Sequence, residues 1–296
     1  MKKIHSFLAL ILALSFSASF MGLAACQETS SPPPSLGVEN SSPSPEENEP
    51  VSPPNSESPS PSPEPQEPTP SPSPSPTPTP STPTVHYSQY IRCTGNSVNL
   101  RSGAGTGYAV IGAAEKNETY ALVGKVGEWY QTYYRGKTAY ISASYAALLK
   151  LEKSANEKTE QVISEGYKLL GVPYVYGAVR FHDGKGNLLK GFTAQKFDCS
   201  SLVQYMFYQG AGTLLDVTTR TQVKQGKYVP RSDLRRGDCL YFTNESRQHL
   251  SGVERVGHVA VYLGNNYILH TASDYARIEQ ISAQRWKYYI EARRFL

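Results

Sequence analysis

Apolar positions divide the 296-residue chain into stretches of different character. The first is a run of about a dozen residues, Phe7–Ala18, behind Lys2 and Lys3. It is long enough for the core of an export signal and short of the ~20 residues that span a bilayer. From residue 27 to 84 apolar side chains almost vanish. Twenty of the 22 prolines lie between Pro32 and Pro83, whereas all 21 tyrosines and both tryptophans lie at Tyr87 or beyond. Such a stretch has little to bury against its chain entropy. It predicts a disordered spacer over 26–84, whose Ser-Pro and Thr-Pro dipeptides favour polyproline II with a reach of up to ~180 Å. The remaining residues, about 210, suffice for one medium core or two small ones.

Beyond the spacer the period changes twice. Short apolar alternations separated by Gly and Asn turns predict five strands: Ser97–Arg101, Ala109–Ile111, Thr119–Val123, Trp129–Tyr133 and Thr138–Ile141. Five short strands in so few residues read as a small all-β barrel over 85–150. Trp129, Tyr130 and Tyr133 are either a ligand platform or strand packing. Over 151–296 a helical stripe appears at Val162, Ile163, Leu169 and Leu170, stopped by Gly171 and Pro173. A second, at Leu202, Val203, Met206 and Phe207, predicts a helix that ends at Gly210. Cys199 falls in its first turn, with Asp198 and Ser200 placed to cap it. Val256–Leu263 and Tyr267–Ala272 alternate as strands around Gly264-Asn265-Asn266. The fold class expected is α+β, a cysteine-bearing helix on an antiparallel sheet, preceded by the barrel and the spacer.

Charge is unevenly distributed. Residues 27–84 carry eight Glu and no Lys or Arg, whereas residues 85–296 carry 27 basic and 17 acidic side chains, a net +10. A folded part of that charge favours a polyanion, be it cell wall, nucleic acid or membrane. Four cysteines are too few for a disulfide scaffold, and no Cys/His cluster suggests a metal. Cys93 and Cys239 read as buried packing. A disulfide between them would have to join two domains and is not expected.

Cys199 is different because of its place. Free N–H groups and the helix dipole at a helix start favour a thiolate. An acylating thiolate also needs a base that later protonates the leaving amine. Of the six histidines, His5 lies in the leader, His86 at the spacer edge, and His182 and His249 in polar loops. His258 and His270, in strand-like runs, are the base candidates by exclusion.

The strings GVPYVYG, FDCSSLVQYMF, RTQVKQG, RRGDCLYF and VGHVAVYLGNNYILHTAS, in this order over about 157–296, resemble the NlpC-type family of papain-like cell-wall cysteine peptidases. The resemblance implies Cys199 as nucleophile, His258 as general base and His270 as the polar third residue. It places Tyr174 beside the nucleophile, and Asp198 and Ser200 in the substrate site. It implies cleavage of peptidoglycan stem peptides, commonly after γ-linked D-Glu, and the expectation is a monomer with no metal, cofactor or nucleic acid. Arg220 and Gln225 match a family string, yet equally suit a structural loop contact. Two departures stand out. Ser201 replaces the usual Gly, and the segment between Gly177 and Asp198 is about a dozen residues longer. Within it Asp183–Asn187 predicts the tip of a small flap at the cleft rim. VNLRSGAGTGYAVIG with GEWYQTYY and KTAYIS resembles the bacterial SH3-like domain, which implies a wall-binding or substrate-positioning module.

Leu23-Ala24-Ala25-Cys26 resembles the lipobox of bacterial lipoproteins. Residues 1–25 are then a signal peptide and Cys26 is lipidated, anchoring the exported protein on the outer face of the cytoplasmic membrane. Two alternatives share these residues: amide exchange or acyl transfer by the same triad, and a non-catalytic wall-binding lipoprotein. A working triad also constrains strand register. A two-residue turn, Asn265-Asn266, pairs Gly264 with Tyr267 and turns His270 away from His258, since a one-residue slip flips every side chain. A three-residue loop, or an equivalent bulge, pairs Ala260 with His270 and puts both imidazoles on one face. The second register is the one expected.

Overall fold

The computed structural model describes residues 84–296, so the expected signal segment, Cys26 and the expected spacer as far as residue 83 lie outside the described residues. The chain forms strands Tyr87–Cys93 (β1), Val98–Arg101 (β2), Val110–Ala114 (β3), Thr119–Ala121 (β4), Gly124–Val126 (β5), Trp129–Tyr134 (β6), Lys137–Ser142 (β7) and Ala146–Glu152 (β8). Helices Glu157–Lys168 (α1), Cys199–Ala211 (α2) and Thr219–Gln222 (α3) come next. Strands Lys227–Val229 (β9), Cys239–Phe242 (β10), His258–Gly264 (β11), Tyr267–Ala272 (β12) and Tyr275–Gln280 (β13), helix Ala283–Lys287 (α4) and strand Tyr289–Arg294 (β14) complete it.

All five expected strand runs are strands, but they do not close a sheet by themselves. β3-β2-β7-β6-β5 form one sheet, while β1, β4 and β8 enter a nine-stranded sheet of order β8-β1-β4-β13-β12-β11-β10-β14-β9. The line between the two regions, drawn at 150/151, therefore falls inside β8. β4 is buried at all three positions because it lies between β1 and β13, where Thr119 pairs with Ile278.

Polar contacts weld the same seam. The buried Arg236 guanidinium donates to Glu160 (2.6 and 3.0 Å), to the Tyr90 and Tyr167 hydroxyls (both 2.9 Å) and to the Leu263 carbonyl (2.9 Å). Full pairing of this kind is what a buried cation needs. The β6–β7 turn caps the end of α1: Arg135 N–H donates to Leu170 O (2.7 Å) and Gly136 N–H to Lys168 O (2.9 Å). The stop foreseen at Gly171 is real. Its φ is +80°, and a Cβ there would lie 2.3 Å from the Tyr134 ring.

One face of the large sheet carries α1 and α2. Val162, Ile163, Leu202, Val203, Met206 and Phe207 pack against Val259, Val261, Leu263 and Leu269 in the main core. The other face holds a smaller cluster of Leu240, Phe242, Ala260, Ile268 and Ala292. Gly210 does not end α2, contrary to expectation. It lies inside the helix, where a Cβ would come 2.4 Å from the backbone of Val162, so glycine is there for the α1–α2 approach. The left-handed cap is Gly212, at φ +66°. Cys93 and Cys239 are buried and free, and no disulfide joins them.

Candidate active site

The helix start around Cys199 is built by a reciprocal cap. Asp198 Oδ1 accepts from Ser201 N–H (2.9 Å), and Ser201 Oγ accepts from Asp198 N–H (2.8 Å). This satisfies two of the orphan donors at the helix end. Ser201, the departure from the family's glycine, thus closes the capping box. Ser200 Oγ donates to Asp198 Oδ1 (3.1 Å), so the two residues expected to shape a substrate site already form one unit.

Cys199 is 8% exposed. Burial pushes its thiol up to about 12, and the adjacent Asp198 charge adds to this. The N–H groups of Val259, Ser200 and Cys199, directed at the sulfur, pull the other way. The helix start therefore supplies amides to the sulfur, as expected, but desolvation outweighs them and the resting thiol is protonated. Val259 is the residue after His258, so the sulfur lies at the first peptide of β11. Tyr174 arrives from the other side. Val175 N–H donates to Phe197 O (2.9 Å) and Phe197 N–H to Pro173 O (3.1 Å), which lays the 173–175 segment beside the residue preceding Asp198. Burial, then the proximity of Cys199 and Asp198, raises the Tyr174 phenol to about 12, which keeps it a neutral O–H.

The register between β11 and β12 decides where the second imidazole points. The turn is the two-residue one: Gly264 pairs with Tyr267, and Asn265 and Asn266 sit at φ +45° and +66°. A bulge then intervenes between Tyr262 and Gly264. Beyond it Tyr262 pairs with Ile268 and Val261 with Leu269, which restores the expected register. Leu263, the extra residue, is fully buried in the main core. His258 Nε2 consequently lies 2.9 Å from His270 Nδ1, with the rings at 76°.

A cysteine at a helix start, a histidine opening the neighbouring strand and a second histidine bonded to the first stand in the order that the family pattern requires. Residues 171–294 match the model of the NlpC/P60 family, and residues 96–147 that of the bacterial SH3 domain. The chain carries an NlpC/P60 domain. It is 29% identical over 152 residues to the gamma-DL-glutamyl hydrolase of Bacillus subtilis (strain 168), covering 51% of this chain and 32% of that one. With peptidoglycan endopeptidase RipA of Mycolicibacterium smegmatis it shares 35% identity over 113 residues, 38% of this chain and 21% of the relative. With the murein DD-endopeptidase MepS/murein LD-carboxypeptidase of Escherichia coli (strain K12) it shares 37% over 110 residues, 36% and 54%. The chain spans about half or less of the length of these relatives.

The NlpC/P60 domain contains further site residues that the sequence reading passed over. His270 Nε2 lies 3.1 Å from Glu279 Oε1 on β13, at ion-pair distance though not aligned as a hydrogen bond. Burial acts to raise the Glu279 carboxyl. Contact with His270 and the charges of His270, Arg285 and Arg277 outweigh it and hold the group at about 2. Burial lowers both imidazoles, His258 strongly, with His270 and Arg285 adding to it there. A carboxylate at His270 Nε2 favours the proton on that nitrogen. Nδ1 then accepts from His258 Nε2–H, and the lone pair of His258 rests on Nδ1. Gln222, on α3, donates from Nε2 to the Ser200 carbonyl (3.0 Å) and the Asp216 carbonyl (2.8 Å).

Other named residues are structural. Gln225 accepts from Asp216 N–H (2.8 Å), and Arg220 pairs loosely with Glu254 (3.6 Å), as a loop contact would. The long segment does form a small hairpin. His182 bridges Leu188, Asp183 N–H donates to Asn187 O (3.1 Å), and Phe181 packs edge-on against Phe192 and Tyr205. Tyr130 packs against the main core, while half-buried Trp129 lines a groove of about 310 Å³ with Arg101, Asn99 and Tyr145.

Proposed function

We propose that this chain is a membrane-tethered peptidoglycan endopeptidase that cleaves stem-peptide amides, after γ-linked D-Glu, by acyl transfer through Cys199, His258 and His270. The observation that carries the reading is the 2.9 Å contact between the two imidazoles at the strand whose first amide faces the Cys199 sulfur. The peptidoglycan-acting names of its relatives support the substrate class.

The resting pair is a neutral thiol and a neutral imidazole. As the substrate carbonyl arrives, His258 Nδ1 takes the thiol proton and sulfur attacks the carbonyl carbon. Oxyanion charge falls to the helix-start amides and the protonated Tyr174 phenol. His258 then returns the proton to the leaving amine, and water releases the acyl group from sulfur by the reverse sequence. His270, held by Glu279, keeps His258 in the tautomer that presents its lone pair. Lipid on Cys26 and the acidic spacer would carry the domain from the membrane to the wall, with the bacterial SH3 domain holding wall material. The full chain and its Cys199→Ala variant, each incubated with purified peptidoglycan, should differ completely in the muropeptides released, as read by mass spectrometry. Equal release by both would refute the reading. Cys26→Ala should move the protein out of the membrane fraction, and an unchanged distribution would remove the anchor.

A further inference from the structure

The cap that builds the candidate nucleophile's helix also works against it. Asp198 is a good N-cap because its carboxylate accepts helix N–H groups and complements the dipole. Its charge is also the nearest carboxylate to Cys199, and a negative neighbour disfavours a thiolate. Three ionisable groups are close enough to couple with the sulfur, Asp198 from its own helix start, Tyr174 from the preceding segment and Tyr241 from β10, and His258 opens β11, whose Val259 N–H points at the sulfur. The two phenols are kept protonated by burial and His258 is neutral, so Asp198 is the member that brings negative charge.

The answer to that charge comes from the long segment. Arg180 Nη2 lies 2.7 Å from Asp198 Oδ2, with the two side chains 18% and 6% exposed. The guanidinium is fixed on every nitrogen. Nε donates to the Val217 carbonyl (2.9 Å), Nη1 to the Ala178 carbonyl (2.6 Å) and Nη2 also to Ser200 Oγ (3.2 Å). A group so engaged is not free to anchor a substrate, and a shielded ion pair of this kind is screened far less than a surface one. We propose that Arg180 is a positioning residue for the chemistry at Cys199: it neutralises the capping carboxylate and clamps the root of the flap to the nucleophile's helix start. This rests on Cys199 being the nucleophile. It gives the long segment a role at its root, whatever its tip contacts.

The test reads the thiol itself. Full-length wild type, Arg180→Gln, Arg180→Lys, Asp198→Asn and the double variant R180Q/D198N are alkylated with iodoacetamide across pH. Cys199 modification is followed by peptide mass spectrometry, with melting temperature as the folding control. In Arg180→Gln the Cys199 profile should move up by about one pH unit, slowing labelling near neutrality about tenfold. On a stem peptide, kcat should fall with KM little changed. Arg180→Lys should stay close to wild type. The double variant should recover the wild-type profile, because no charge is left to neutralise. Asp198→Asn alone should label faster than wild type, a prediction that stands even if Arg180→Gln does not fold. A wild-type profile in Arg180→Gln, a double variant as slow as the single one, or no acceleration in Asp198→Asn would each overturn the role of Arg180. Cleavage of peptidoglycan by Cys199→Ala would instead remove the nucleophile on which the inference rests, so the two failures are separable.

Discussion

Two Asp-Cys pairs in this chain have nearly the same local composition and opposite surroundings. Asp198-Cys199 and Asp238-Cys239 each place a buried, ion-paired aspartate before a buried cysteine in an apolar run. Asp198 pairs with Arg180, and Asp238 with Arg294 at 2.7 and 2.8 Å. The difference is in the backbone. Cys199 begins a helix, so amides converge on its sulfur, and His258 opens the strand alongside. Cys239 lies in β10 between β11 and β14, where its peptide groups are spent on the ladders, and it is fully buried. Burial raises both thiols, so burial does not separate them; amide direction and a histidine on the strand alongside do.

The sharpest break of this comparison is substitution of each cysteine. Cys199→Ala should lower peptidoglycan cleavage by at least about 10³-fold. Cys239→Ala should keep the activity and cost only about 1 kcal/mol of stability for the lost sulfur. Cleavage assays with chemical denaturation on both variants check this. Next in size is His270→Ala, which leaves the fold but frees the tautomer of His258; kcat should fall about 10²- to 10⁴-fold. Unaltered kcat would mean that the imidazole pair is structural.

Smaller effects test how that base is tuned. Glu279→Gln should cost about tenfold in kcat/KM, the scale of an outer partner that orients a functional imidazole. The pH dependence has a definite sign. On the proposed mechanism neutral His258 is the active form, and burial lowers its pKa, so the acid limb of kcat/KM should lie below 6.5, where an ordinary histidine would titrate. A limb at or above 6.5 would count against the desolvated base. Least in size, replacing residues 183–187 of the flap tip with a shorter turn should change KM on different stem peptides by a few-fold, with kcat nearly constant. Identical KM values on all of them would leave the tip without a role.

How much of this could be read before the fold was known depends on the range of the interactions. The helix start at Cys199 was legible because Leu202, Val203, Met206 and Phe207 define a local stripe and Asp198 a local cap. The strands of His258 and His270 were legible from alternation, and the need for both rings on one face pointed to a bulge or its equivalent. That the bulge sits at Leu263, behind a two-residue Asn-Asn turn, was not legible, because a leucine suits either face of a strand buried on both sides. β1 and β8 were missed because their pairing, Tyr87 with Glu152 through Cys93 with Ala146, is set by residues far apart in sequence. Glu279 was missed with its strand, although Ala276 and Ile278 alternate there with polar neighbours. Arg180 has no local signature; its partner lies 18 positions away, across the flap.

The central claim is that Cys199 attacks a stem-peptide carbonyl with His258 as its base. The most direct measurement uses a chloromethyl ketone built on L-Ala-γ-D-Glu, with the reactive carbon in place of the scissile amide. After incubation with the full chain, the adduct is located by peptide mass spectrometry. The account predicts one adduct, on Cys199, formed much more slowly in His258→Ala and absent when the peptide part is replaced by an unrelated dipeptide. An adduct on Cys93 or Cys239, or equal labelling of Cys199 with and without His258, would contradict it.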